Sequence, residues 1–326
     1  MTLAPRRVAL LGLAHVHVPD HLDVVEADPD LRLTTVWDGY GLQRSRFPEL
    51  ARDGVEAALD DADLAIVDTP TADHEAVVAA VAERGIPLFV EKPLGRNAAE
   101  ARRIAAVIDN AGIPFATGFF LRCLPALRQV RDLLRDGRLG ELVSVHAGFT
   151  HTGLPSGAFA GETAWMLDPD RAGFGAFGDL GTHLLDALGW LRPGAELTLH
   201  SACLTSAADQ ALDVAGSALL TWGESVLCTV STSWVSRPGG LSIRLEGTVA
   251  TAVVEGGRLT VSGSEHISRA GTSPDARDAL RAFVAGLRGG RASDRPTTAD
   301  AVAVAELVDE AYQSWTVPSR RRFTGR

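Results

Sequence analysis

The feature that most restricts the fold is an alternation in the first third of the chain. Short apolar runs stop at a glycine or a polar residue, and helical patterns of about a dozen residues separate them. Arg7–Leu11 stops at Gly12, Leu31–Trp37 at Asp38 and Leu64–Val67 at Asp68-Thr69-Pro70. Ile86–Val90 then stops at Glu91-Lys92-Pro93, and Pro114–Thr117 at Gly118. Helical patterns cover Pro19–Ala27, Asp73–Arg84 and Ala98–Asn110. An unbroken apolar run bounded in this way is a strand buried on both faces, so the repeat predicts a parallel sheet covered by helices. Ligands of such sheets bind at the carboxyl ends of the strands. Gly12, Asp38, Thr69, Lys92 and Gly118 all fall there.

After Leu124 the pattern changes. A helix over Leu127–Arg135 leads to a strand over Leu142–Phe149, and β-rich runs fill Leu197 to Val261. Trp222-Gly223, Pro238-Gly239-Gly240 and Glu255-Gly256-Gly257 punctuate them as turns. Two helices, Ala276–Leu287 and Thr298–Trp315, close the chain. The expected fold class is α/β: an N-terminal Rossmann-type parallel sheet, then a C-terminal α+β domain with a mostly antiparallel open sheet. The expected domains are 1–121, binding a dinucleotide, and 122–326, binding substrate and mediating oligomerisation. A length of 326 residues suits two cores.

Composition narrows the partners. No apolar stretch approaches the ~18 residues of a membrane span, and Val8–Leu13 is too short for a signal sequence. A soluble, cytoplasmic protein is expected. The net charge of −10 argues against nucleic acid as a partner, and Arg320-Arg321-Arg322 is expected to be a solvated tail. Cys123, Cys203 and Cys228 are odd in number and widely spaced. They suit small buried side chains in a reducing compartment better than a disulfide frame or a zinc site, and no metal is expected. An exposed sheet face in the second half predicts a homo-oligomer, a dimer or a tetramer.

Between the first strand and helix runs Gly12-Leu13-Ala14-His15-Val16-His17. With Asp38 ending the second strand, this is the outline of a nucleotide-binding βαβ unit, Asp38 accepting from an adenosine ribose hydroxyl. Only the first of three fingerprint glycines is present; Ala14 and His17 hold the other two positions. The Ala14 methyl should push a pyrophosphate away from the backbone, and the His17 imidazole should loosen helix-on-strand packing. His15 and His17 either donate to phosphate or pack and cap the turn. Asp38 repels a 2′-phosphate and so favours NAD, while nearby Arg44 and Arg46 leave NADP open.

Lys92 is the single lysine among 31 Lys and Arg residues. A lysine ammonium is compact and gives up its proton far more readily than a guanidinium, so a site needing a proton relay or a point charge at a reacting oxygen would refuse Arg. Asp179 and His183, four apart in Gly178-Asp179-Leu180-Gly181-Thr182-His183, share one face if a helix starts there. The carboxylate would then orient an imidazole able to exchange protons near neutrality.

Thr69-Pro70-Thr71-Ala72-Asp73-His74, Glu91-Lys92-Pro93-Leu94-Gly95, Gly118-Phe119 and the Asp179–His183 element together resemble the Gfo/Idh/MocA family of oxidoreductases. The resemblance extends over most of the chain. It implies a nicotinamide cofactor on the first domain, touched by Gly12, Ala14, His15, His17, Asp38, Thr69, Pro70, His74, Glu91 and Lys92. It also implies a small polyhydroxylated substrate between the domains, lined by Phe120, Arg122, Trp165 and Phe174, with Lys92, Asp179 and His183 catalytic. The implied activity moves a hydride between nicotinamide and a CH–OH or C=O carbon of a sugar, an amino or nucleotide sugar, or a cyclitol. A redox-neutral enzyme retaining its NAD and a non-catalytic NAD sensor are the alternatives.

Overall fold

The computed structural model describes residues 4–207, 210–263, 267–269, 271–290 and 294–315. The expected basic tail Arg320–Arg322 lies outside them. In chain order the first elements are β1 (Arg6–Leu11), α1 (Val18–Ala27), β2 (Leu31–Trp37), α2 (Gln43–Arg46), α3 (Val55–Leu59) and β3 (Leu64–Val67). There follow α4 (His74–Glu83), β4 (Leu88–Val90), α5 (Ala98–Ala111), β5 (Phe115–Thr117), α6 (Pro125–Arg135), β6 (Leu142–Thr150), α7 (Pro169–Ala172) and α8 (Thr182–Leu191). The strands β7 (Leu197–Ser206), β8 (Asp213–Trp222), β9 (Val226–Ser233), β10 (Gly240–Gly247), β11 (Ala250–Glu255), β12 (Arg258–Gly263) and β13 (Ile267–Arg269) precede α9 (Arg277–Leu287) and α10 (Thr298–Ser314).

The described residues form two compact units, one within 4–118, 159–173 and 276–305, the other within 119–158, 174–275 and 306–315. Segments 159–173 and 276–305 fold with the first unit although they follow it in sequence. For α9 the reason is visible: Arg277 pairs with Asp20 and Asp23 on α1, and Phe283 meets Phe89 of β4 at a 6.2 Å ring separation. An amphipathic helix has no sequence mark for which of two sheets it will cover.

In the first unit five parallel strands run in the order β2-β1-β3-β4-β5. The order reverses between β1 and β3, the switch point at which doubly wound sheets bind ligands. β3 and β4 are buried at every residue, as unbroken apolar runs require. Asn97 caps α5 by accepting the Glu100 N–H, and Gly112 ends that helix at φ +63°. The capped helix start fixes the turn carrying Lys92, because a Cβ on Gly95 would lie 2.7 Å from Ala101 N.

The second unit holds an eight-stranded sheet, β13-β12-β11-β10-β6-β9-β8-β7, antiparallel apart from the β6–β9 pair. Burial alternates along β8 and β10, as a sheet with one covered face requires. Val143, Leu219, Leu227 and Val249 are exposed.

Candidate active site

At the end of β1, Gly12 has φ +99°, and a Cβ there would lie 2.6 Å from the Asp68 carbonyl carbon. No other residue fits so close a backbone approach. Asp38, buried at the end of β2, braces the same turn: Oδ2 accepts the Leu13 N–H at 2.9 Å and Oδ1 the Tyr40 N–H at 2.8 Å. A carboxylate offers about four lone-pair sites, so capacity for a ribose hydroxyl remains beside this bracing.

The imidazoles of the turn do more than cap it. His17 Nδ1 lies 3.1 Å from Glu91 Oε1. One helical turn on, His21 sits fully buried with Nδ1 2.9 Å from Asp68 Oδ2 and Nε2 3.4 Å from Glu91 Oε1. Glu91 Oε2 accepts the Lys92 N–H at 2.9 Å. The expectation that His17 loosens the packing is therefore corrected: at the third glycine position the ring reaches Glu91 and ties the start of α1 to the end of β4. Burial alone would discharge His21, but the Asp68 and Glu91 carboxylates outweigh it and raise the imidazolium pKa to about 9. Burial likewise opposes charge on Glu91, yet the surrounding imidazoles, His17 foremost, hold its pKa well below the carboxylate norm. At His15 the balance falls the other way: burial outweighs the attraction of Glu91 and pushes its pKa well down.

Lys92 is buried at the end of β4, in a Lys92–Pro93 turn whose peptide is cis. The hydroxyls of Thr69 and Thr117, at the ends of β3 and β5, are buried without a hydrogen-bond partner among the described residues. Two expected cofactor or substrate residues of this unit have structural tasks. His74 lies with Nδ1 3.2 Å from Leu94 O and Nε2 3.2 Å from Thr69 O, and burial lowers its pKa; the neutral ring donates its one N–H to one of these carbonyls and packs between the loops after β3 and β4. Trp165, expected at the substrate, folds with the first unit and donates Nε1–H to Ala14 O at 2.8 Å.

In the second unit Phe177–Gly181 forms a single π turn running into α8, an irregularity that recurs at functional sites. The expectation of Asp179 and His183 one ordinary helical turn apart is modified accordingly. Asp179 Oδ2 accepts Trp234 Nε1–H at 2.8 Å and lies 3.9 Å from His151 Nε2. The buried His183 ring lies 4.3 Å from Phe120 and 5.9 Å from Phe149 by centroids.

Asp213, fully buried on β8, holds this turn from behind. It accepts the Phe177 N–H at 2.8 Å and the Tyr312 hydroxyl, and Tyr312 Oη accepts the Gly175 N–H at 2.9 Å. Burial, only partly offset by these bonds, pushes the Asp213 carboxyl up to about 6. Phe174, expected to line the substrate pocket, packs its ring 5.0 Å from that of Tyr312. Arg122, expected beside it, is buried with Nε 2.9 Å and Nη2 2.6 Å from Asp186 carboxylate oxygens. It locks the turn bearing Phe120 onto α8 three residues beyond His183. Sequence inspection missed His21, Asp68, Asp213, Tyr312, Trp234 and Asp186. Of these His21 carried a signal, its i,i+4 spacing from His17.

Residues 6–119 match a family model described as an oxidoreductase family with an NAD-binding Rossmann fold, and residues 127–253 match a GFO/IDH/MocA C-terminal domain. The rhizopine catabolism protein MocA of Rhizobium meliloti is 32% identical over 56% of this chain and 54% of its own length. A dTDP-3,4-didehydro-2,6-dideoxy-alpha-D-glucose 3-reductase of Actinomadura kijaniata is 31% identical over 68% and 66%. The chain thus spans roughly half to two thirds of these relatives. An inositol dehydrogenase homolog from Azotobacter vinelandii, solved with NAD+, has the same fold at a TM-score of 0.82. It covers 95% of each chain at 20% identity.

Proposed function

The chain belongs to the Gfo/Idh/MocA family of oxidoreductases, and on that premise we propose that it is an NAD(P)-dependent dehydrogenase or reductase. Its substrate is a CH–OH or C=O carbon of a sugar, an amino or nucleotide sugar, or a cyclitol. The observation that carries this reading is the sole lysine of the chain, buried at the end of β4 with its backbone N–H on Glu91; the second unit, by itself, builds the braced π turn that bears Asp179 and leads to His183. The substrate class follows the sugar reductases among the relatives.

The residues of the first unit fit a dinucleotide. Gly12 gives close backbone approach, Asp38 keeps acceptor capacity for a ribose hydroxyl, and Thr69 and Thr117 carry buried hydroxyls at the strand ends. Arg44 and Arg46 pair with Asp53 and Glu162, which with the Asp38 charge favours NAD over NADP. When bound, the nicotinamide supplies or accepts the hydride. Lys92 places its positive charge at the reacting substrate oxygen and stabilises charge developing there. His183 takes the hydroxyl proton on oxidation and returns it on reduction, and Asp179 positions the substrate or the imidazole.

A homo-oligomer fits the exposed Val143, Leu219 and Leu227 on the second unit's sheet, and three widely spaced cysteines, Cys123, Cys203 and Cys228, fit a cytoplasmic setting. The test is absorbance at 340 nm with NAD+ or NADP+ and a panel of aldoses, amino sugars, nucleotide sugars and inositols, and with NADH or NADPH and the matching ketones. Substrate-dependent change in the wild type and none in His183→Ala is the expected result. Product formation without net absorbance change would replace the dehydrogenase with a redox-neutral enzyme.

A further inference from the structure

The turn between β1 and α1 holds more ligating atoms than a phosphate cradle uses. His15, His17 and Glu91 each bring one nitrogen or oxygen to a common point, all within 4.8 Å of one another. His17 Nδ1 and Glu91 Oε1 are already 3.1 Å apart. Donors bound to one ion at about 2.0–2.2 Å in tetrahedral geometry sit roughly 3.3–3.5 Å from each other, so this pair stands near ligating separation.

His15 Nδ1 accepts the His17 N–H at 3.2 Å, so that nitrogen carries a lone pair; a cation would displace this long hydrogen bond and the proton between His17 Nδ1 and Glu91 Oε1. Glu91 is also oriented from outside. Its second oxygen accepts the Lys92 N–H, and His21, seated on Asp68, approaches the first at 3.4 Å. Outer partners of this kind commonly fix metal ligands in place.

We infer that His15, His17 and Glu91 form a binding site for a first-row divalent transition metal, of the zinc or cobalt type. Two imidazoles and one carboxylate are the donor mixture that suits these borderline ions, whereas calcium and magnesium select all-oxygen sets. Three protein ligands leave a coordination position open. That position would take an anionic oxygen ligand.

The test is a titration of EDTA-stripped full-length protein with Co2+, followed by visible d–d absorption. One ion per chain is expected to bind in the micromolar range and to be displaced by Zn2+. Affinity should fall tenfold or more in His17→Gly, which restores the fingerprint glycine, and in His15→Gln, but not in His146→Ala at an exposed position of β6. Should His17→Gly melt below the assay temperature, His15→Gln decides. No saturable Co2+ spectrum, or an unchanged affinity in the variants, would overturn the site.

Discussion

Two turns in this molecule solve the same problem with different residues. The turn after β1 has exchanged glycines for Ala14 and His17, whereas the turn before α8 keeps Gly173, Gly175, Gly178 and Gly181. In the first, the added ring has somewhere to go: His17 leaves the helix–strand gap and reaches Glu91. In the second, the space is full. A Cβ on Gly175 would overlap the Asp213 carbonyl, and one on Gly178 would come within 2.6 Å of Phe174 Cγ. A fingerprint glycine is dispensable where its Cβ opens toward a polar partner, and indispensable where backbone or ring packs directly on it.

The largest expected effect concerns chemistry. Lys92→Ala or His183→Ala should keep the fold by circular dichroism and lose about 10²–10⁴ in turnover, some 3–5 kcal/mol of transition-state stabilisation. Lys92→Arg should lose most of it as well. Near-normal turnover in Lys92→Arg would show that a charge, and not an amine, is what the end of β4 supplies.

The glycine contrast is broken or sharpened by urea denaturation. Gly178→Ala should cost about 3 kcal/mol or more through overpacking, while His17→Gly should cost about 1–2 kcal/mol for the lost bond to Glu91. Equal costs would end the contrast.

The two buried acid centres should separate by pH. His21 is raised from 6.5 to about 9. Its contribution of about 3 kcal/mol is complete below pH 6.5 and lost as pH rises through 9, and His21→Gln should remove that alkaline slope. Asp213 is raised from 3.8 to about 6. The folded state then holds the extra proton, so its contribution of about 2–3 kcal/mol is complete below pH 3.8 and lost as pH rises through 6. Melting temperature against pH in Asp213→Asn should lack this acid-side term. A wild-type profile flat across either window would contradict the corresponding pairing.

Much of this was legible in the chain because burial and pitch leave periodic marks. The strands of the first sheet, the turns between the later strands and the helices flanking them follow from apolar runs and glycine punctuation. What stayed hidden depends on contacts between distant segments. Nothing local marks Asp213 as the acid behind Gly175 and Phe177, or commits Arg122 to Asp186. The preference of α9 for the first unit's core is equally unmarked. His17 was legible as a departure from the glycine pattern, but the consequence was not, since its partner lies 74 residues away in sequence.

The first unit is expected to hold a dinucleotide although Ala14 and His17 stand at two of its three fingerprint glycine positions. A fluorescence titration of NADH, with NADPH in parallel, tests this directly. Saturable binding in the micromolar range, weakened in Asp38→Ala, is the predicted result. A folded protein that shows no saturation with either dinucleotide up to millimolar concentration would contradict it.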